Sequence, residues 1–531
     1  MALLTLVLVL AATFAAYRYY FHPLRRVPGP LLAKFTDAQR FFDTAGGRAE
    51  LTHRLLHAKY GPVVRIGPNT VSLSDPQCIK LIYSNKANFP KSDFYAVNDI
   101  TQGDQRVCTL FGTRDNGLHQ KLRAPVQKYY KVSALLKLEH RVDSVVEDFC
   151  AKLEERFAKP GKACDIAEWF LFYAWDAIAD VTFSKPIKEG FLNKGGDIDD
   201  LLSTAEQALD YFAAVGQIPL LDELLDKNPI HRMGPPSFQA AADFCVKKLV
   251  ARTTGAETND TDNQDYLDHF LAIKAEADAA KAAGHQQEEA AADRDADITD
   301  ATVVGWMLLN ILAGADTTAT TLAAVLYHLL RNPRALARLR RELDDAGPAT
   351  AAVWRYEDAV RLEYLDAVVK EALRVHPGVG LPLERVVPAG GLALPEDGSS
   401  AGAGSVGFLP PGTIVGMNAW VVNNDKAVFG PDADSFVPER WLRAAADGED
   451  ERQWEERVKR MKDVMLSFGA GRRVCLGREL SLFEIYKVVP TVLGRFDFEL
   501  VDPKKEWELT NSWFVRVKGV DVKIKPRVTP N

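Results

Sequence analysis

Near its C-terminus the chain reads Phe468-Gly-Ala-Gly471-Arg-Arg473-Val-Cys475-Leu-Gly477, a single cysteine framed by glycines, an aromatic ring and an arginine. A thiolate bound to heme iron needs these companions. It gives the metal the electron density that favours cleaving an O–O bond, where a histidine ligand favours holding oxygen. Gly471 and Gly477 place no side chain beside the sulfur, so the backbone can turn tightly and bring N–H groups to the thiolate. Phe468 can shield the sulfur from water, and Arg473 can meet a heme propionate in a charge-assisted pair. A lone cysteine in a Gly-rich loop is more often a small buried apolar residue. Here the surrounding positions all match the ligand reading, which reverses that preference.

The pattern F-x-x-G-x-R-x-C-x-G resembles the cysteine loop of the cytochrome P450 family at every fixed position. The resemblance implies a mainly α fold with small β-sheets, one large heme-thiolate domain behind an N-terminal membrane helix. Its cofactor would be heme b, with Cys475 as the axial ligand to the metal. At 531 residues and 47% hydrophobic content the chain can bury a large core, and length alone suggests two or more domains. The resemblance replaces that expectation with an anchor at residues 1–20, a Pro-rich hinge at 21–35 and a heme domain at 36–531. A net charge of −7 argues against a nucleic-acid partner, which usually needs a basic surface. The six cysteines lie far apart with no C-x-x-C pair, so one ligand and five ordinary thiols in a reducing compartment are expected.

Residues 1–17 carry no charge and are dominated by Leu, Val and Ala. That is the lower limit of length for a membrane span. Tyr19, Tyr20 and Phe21 suit the interface, and Arg18, Arg25 and Arg26 place positive charge on the C-terminal side, so the body would face the cytosol. A cleaved signal peptide normally carries a basic residue before its apolar run, and none stands here. His22-Pro-Leu and Pro28-Gly-Pro30 then predict a stiff connector that cannot extend the helix. This wording resembles the hinge of microsomal, filamentous-fungal members of the family. Asn259-Asp-Thr261 matches a glycosylation sequon, but a cytosolic body would not meet the transferase.

Residues 63–66 and 70–73 alternate around Gly67-Pro68-Asn69 and predict a β-hairpin. From Lys80 to Val375 helical periodicity dominates. Residues 275–297, rich in Ala, Glu and Asp, predict a solvated helix or connector with no chemistry. Residues 297–331 then predict one long helix containing Leu312-Ala313-Gly314-Ala315-Asp316-Thr317-Thr318. A glycine inside a helix costs about 1 kcal/mol relative to Ala, so it needs a reason. The small pair Ala313 and Gly314 could let a flat macrocycle lie against the helix, while Asp316 and Thr317 open the local ladder and hold water that delivers protons. This run resembles the family's oxygen-activation motif.

Glu371 and Arg374 stand three apart on a helix expected at residues 364–375, close enough to pair. The family resemblance makes Glu371, Arg374 and the later Arg440 a buried structural lock behind the heme, with Trp441 in place of the more usual phenylalanine. It likewise implies propionate partners at Arg123 and Arg473, at His119, where many relatives have Trp, and at Arg385.

The activity implied is that of a monooxygenase taking electrons from NADPH-cytochrome P450 reductase, with cytochrome b5 as a second candidate donor, and inserting one atom of dioxygen into a small lipophilic substrate. No flavin domain or strand–GxGxxG–helix unit is visible. Arg472, Arg473, Arg478 and Lys487 are expected to form the basic docking face for the reductase. A heme-thiolate isomerase or dehydratase would lack the Asp316–Thr317 pair, and a gas-sensing heme protein would not need a thiolate. Pocket walls are expected at residues 89–117, 205–236, 307–317, 378–383 and 513–514, all largely apolar. Residues 169–183 and 66–94 look most like the fungal pisatin-demethylase group, implying secondary-metabolite tailoring or detoxification of plant compounds at the endoplasmic reticulum membrane.

Overall fold

The computed structural model describes residues 2–102, 105–185, 187–234, 238–259, 263–282, 298–347, 352–395 and 406–527. Its first element, α1 (Ala2–Ala16), continues through a wider turn at Tyr17–Phe21 into a 20-residue apolar span, Ala2–Phe21, none of it buried. It is a candidate membrane anchor. The connector after it is more than stiff: Leu24 and Val27 are buried in the body. Arg65, itself fully buried, donates to the carbonyls of Leu24 (3.2 Å) and Pro68 (2.6 Å) and to His22 Nδ1 (3.2 Å). Gly29 is tight against this strand, since a Cβ there would lie 2.2 Å from the Arg65 carbonyl oxygen.

The expected hairpin forms as β1 (Val63–Gly67) and β2 (Thr70–Leu73), antiparallel, with an irregularity between Arg65 and Gly67. Three helices then frame the interior. The first, α2 (Asn116–Arg123), is capped by Asp115, whose carboxylate accepts from the Leu118 N–H at 2.6 Å. The second, α3 (Ile166–Phe183), is apolar all round and correspondingly buried all round. The third, α4 (Asp300–Arg331), begins three residues later than the sequence suggests, because Thr299 and Thr302 make a reciprocal capping box. Its 32 residues span ~48 Å. It is apolar enough to cross a membrane, yet most of it is buried in the core against α3.

After α5 (Glu363–Val375) the chain adds β3 (Arg385–Val386) and β4 (Ile414–Met417) to the hairpin, giving a four-stranded sheet in the order β1-β2-β4-β3. The β2–β4 pair is parallel and the β3–β4 pair antiparallel. The cysteine loop leads into α6 (Arg478–Arg495), and a late hairpin, β5 (Glu508–Ser512) with β6 (Phe514–Lys518), returns to the interior. The result is mostly helix with small sheets, as expected. Of the solvated stretch at 275–297, residues up to Ala282 end a helix, Tyr266–Ala282, and 283–297 lie outside the described residues. Of the sequon, residues 260 and 261 lie outside them too, and the Asn259 amide is engaged with Asp268 at 2.6 Å.

Candidate active site

Cys475 is accessible to water, yet the protein around it is dense enough that desolvation pushes its thiol up from the ordinary value. Both hold if the sulfur lines an internal chamber. Its neighbours agree: residues 468–479 are at least partly accessible, and so are Leu312, Ala313, Gly314 and Thr317 in the otherwise buried middle of α4. Working against the desolvation, the backbone N–H groups of Gly477 and Arg478 and the charges of Arg123 and Arg478 favour the thiolate. These N–H groups open α6, so the positive end of a helix meets the sulfur. The loop is closed by the Cys475 N–H donating to the Phe468 carbonyl at 2.9 Å.

The glycines act differently from the sequence argument. Gly471 has φ +61°, and a Cβ there would lie 1.5 Å from the Tyr83 carbonyl oxygen, so contact with that neighbour requires it, not room beside the sulfur. At Gly477 a Cβ would meet nothing within 4 Å, so no neighbouring protein atom holds that position to glycine. Gly314 needs correction: its missing side chain faces α3, where a Cβ would lie 2.8 Å from Ile178 Cδ1. Close helix packing explains it, while Ala313 packs against the apolar cluster around Phe94 and Trp513.

A cluster of cations borders the chamber. Arg123 donates to the Val474 carbonyl at 2.8 Å. Arg473 turns inward, donating to the carbonyls of Thr113 and Asp115, each at 3.0 Å. Arg385 lies over the Tyr83 ring and is 5% exposed. His119 is buried, not a surface histidine, and its Nδ1 has no partner. Burial and four surrounding cations push it down to about 3, so the ring is neutral. Sequence reasoning missed a fifth member, Lys91, whose ammonium donates to the Phe111 carbonyl at 2.7 Å and rests against the Tyr95 and Phe111 rings. Burial, then Arg385 and Arg473, hold it well below its ordinary value. A lysine set inside the aromatic run Phe89-Pro-Lys-Ser-Asp-Phe94 was the available signal. Glu384, next to Arg385, is committed elsewhere, to Arg40 and to Ser92 at 2.6 Å. Cations that repel each other, Arg385 and Lys91 buried among them, together with an unpartnered ring nitrogen on His119, fit the two propionates of a heme.

On α4, Thr317 Oγ1 donates to the Ala313 carbonyl at 2.8 Å, the back-bond that loosens a helix. Asp316 is buried against α3, accepts from Trp175 Nε1 at 3.3 Å, and is raised to about 6, chiefly by burial. The five expected pocket walls meet in one apolar cluster: Phe94 and Phe111, Phe212, Ala313, Leu381, and Trp513 with Phe514. Residues 103, 104, 235 and 236 of those walls lie outside the described residues. Trp513 holds a left-handed φ of +78°, unusual for a bulky residue, and the Gly380 N–H donates to its carbonyl at 2.9 Å.

The lock closes as expected and gains a member. Glu371 accepts from Arg374 at 2.8 and 2.9 Å and from Arg440 Nε at 2.9 Å. Trp441 Nε1 donates to its Oε2, also at 2.9 Å. Trp441 is therefore a hydrogen-bond donor that phenylalanine could not replace, more than a change of volume. Trp441→Phe is expected to cost about 1 kcal/mol of unfolding free energy, measured by denaturant titration, because Glu371 keeps its arginines. The docking face is corrected: Lys487 is fully buried, bound to Glu139 and Asp143 at 2.5 and 2.7 Å, and Arg473 points inward. Arg472 and Arg478 remain at the surface side of the loop.

The cytochrome P450 family model matches residues 23–524. The chain belongs to the cytochrome P450 family. Its curated relatives include the cytochrome P450 monooxygenase cfoH of Aspergillus candidus, 37% identical over 514 residues, covering 96% of this chain and 89% of the relative. The cytochrome P450 monooxygenase cicH of Emericella nidulans is 36% identical over 531 residues, covering 98% of both chains. A third, mpaDE of Penicillium roqueforti, is 36% identical over 519 residues, but this chain spans only 56% of it. Membership in the P450 family brings heme held by a cysteine thiolate, and with it dioxygen, a substrate and a redox partner.

Proposed function

We propose that this P450 is a membrane-anchored fungal monooxygenase that oxidises a small lipophilic compound in secondary metabolism, most similar to the pisatin-demethylase-like group. The observation that carries it is the accessible Cys475 thiol at a helix N-terminus, where two backbone N–H groups and the charges of Arg123 and Arg478 favour a thiolate. When bound, the heme supplies oxygen activation and insertion. The protein's own residues do the rest. Cys475 ligates the metal; Arg123, His119, Arg385, Arg473 and Lys91 seat the propionates. The aromatic roof excludes water from the apolar chamber. Asp316 and Thr317 pass protons to water held beside the Thr317 hydroxyl. Residues 1–20 anchor the protein in the endoplasmic reticulum membrane, 21–35 dock the anchor to the body, and 36–531 form the cytosolic heme domain. Electrons come from NADPH-cytochrome P450 reductase at the side of Arg472 and Arg478.

Metabolite mass spectrometry of the native host with and without this gene tests the reading. A precursor that accumulates and differs from the lost product by one oxygen, a methyl group or two hydrogens supports it. An accumulating isomer overturns it.

Thr317→Ala is expected to divert NADPH into peroxide, lowering product per NADPH by ~10-fold or more. Asp316→Asn is expected to remove the limb centred near pH 6 from the pH profile of that ratio. Because the folded carboxyl titrates above its ordinary value, Asp316 costs stability as pH rises through about 6. Asn at this position abolishes that loss, which thermal unfolding at pH 5 and pH 8 measures.

A further inference from the structure

Gly314 and Asp316 flank one residue of α4, and each is met by a side chain of α3. A Cβ on Gly314 would lie 2.8 Å from Ile178 Cδ1 and 2.9 Å from its Cγ1. Asp316 Oδ1 accepts from Trp175 Nε1 at 3.3 Å. Successive helical residues lie about 100° apart, so Gly314 and Asp316 sit on opposite flanks of Ala315. Ala315 itself is 0% exposed. The helix α3 therefore passes over Ala315, with Ile178 on one flank and Trp175, one turn earlier, on the other. Trp175 is 1% exposed, and its ring also packs on Phe191 at 5.7 Å.

An indole N–H can donate and cannot accept. Its bond to Asp316 therefore strengthens when the carboxyl ionises, and it opposes the burial that raises this acid to about 6. The charged groups that act on the same carboxyl come from two further elements. Arg516 of β6 favours the carboxylate, and Glu206, on the helix Leu201–Val215, opposes it. Arg516 is itself held by Asp210 of that helix at 2.6 Å. Of these groups Trp175 alone hydrogen-bonds Asp316. Asp176, beside Trp175 on α3, is turned instead to the N–H groups of Phe191 and Leu192, each at 2.9 Å.

We propose that Trp175 is a positioning residue for Asp316, and that position 314 is glycine because α3 must come this close to deliver the indole N–H. This role rests on the reading of Asp316 as a proton carrier. Trp175 turns the carboxyl towards α3 and sets the pH at which it releases its proton. A side chain at position 314 pushes α3 away at Ile178, and so draws the indole, one turn back, off the acid. The glycine thus serves the acid two positions further along α4 through a contact with the neighbouring helix, and needs no ligand to explain it.

The test uses the full heme-loaded chain, with a carbon monoxide difference spectrum to confirm that each variant is intact. Infrared titration follows the acid carbonyl band that is present in the wild type and missing from Asp316→Asn. That subtraction removes Asp176, which is also raised to about 6. Trp175→Phe keeps a ring against Phe191 and loses the N–H, so the Asp316 band should titrate ~1 pH unit higher. Gly314→Ala should move the band the same way. Adding Ile178→Ala, which clears the space that the new Cβ needs, should return it. Peroxide release per NADPH, measured with the reductase and without substrate, should shift its limb near pH 6 by the same amount in each variant. An unmoved band in Trp175→Phe overturns the positioning role. A shift in Gly314→Ala that Ile178→Ala leaves in place overturns the reason given for the glycine. A moved band with an unmoved peroxide limb defeats the reading of Asp316 as a proton carrier, while the band still supports the positioning, because it reports the acid's own titration and the limb reports its use.

Discussion

Cys475→Ser is expected to give a folded protein that has lost the spectrum of a thiolate-ligated heme and makes no detectable product. The argument is electrostatic. Two backbone N–H groups, from Gly477 and Arg478, and the guanidinium of Arg123 favour a negative charge at the sulfur. A thiol can ionise to meet them and a serine hydroxyl cannot. The serine therefore presents a neutral, weakly donating oxygen where the chemistry needs electron density pushed onto the metal. Losing a hydrogen-bond partner of a metal ligand costs ~10–100-fold in activity, and losing the ligand itself costs more. The carbon monoxide difference spectrum and product formation measure the two consequences separately. Full activity in Cys475→Ser would sink the assignment of the thiolate, and with it the reading of the whole chamber.

The cysteine loop, the acid–threonine pair and the Glu371–Arg374 pair were legible because each is a local pattern with fixed spacing. So was the hairpin at Val63, where alternation and a Gly-Pro-Asn turn lie within one short run. What stayed hidden depends on residues far apart in the chain. Lys91 is separated from Arg385 and Arg473 by nearly the whole domain, and only the fold brings the three together. Gly314 looks like a residue kept small for a ligand, but the constraint comes from Ile178, 136 positions earlier, on a helix packed against it. Lys487 reads as a surface cation after a basic loop, yet helical phase turns it inward to Glu139 and Asp143. Charge in a sequence does not say which way a helix faces.

The second large effect is expected from Glu371→Gln, which keeps the shape of the side chain and removes its charge. Arg374 is fully exposed to this loss: it is 0% accessible, and its charge is balanced by Glu371 alone among its contacts. Its remaining hydrogen bonds go to the neutral carbonyls of Asn423, Ala433 and Ser435 and to the Asn424 side chain. Breaking one partner of such a pair costs about 3–5 kcal/mol, a large share of the ~5–15 kcal/mol that holds a typical domain folded. The damage should also reach the heme. Asn423, whose carbonyl Arg374 fixes, donates to Ser467 Oγ at 3.0 Å and accepts from the Leu466 N–H at 3.0 Å. Ser467 in turn donates to the Leu373 carbonyl at 2.7 Å. Phe468, the first residue of the cysteine loop, follows directly. A loosened lock therefore loosens the loop that presents the thiolate. Glu371→Gln should lower both the denaturant midpoint and the fraction of purified protein carrying heme, while Trp441→Phe lowers the midpoint slightly and leaves heme content unchanged. If Glu371→Gln lost stability but bound heme fully, the path through Asn423 and Ser467 would be wrong and the lock would serve the scaffold alone.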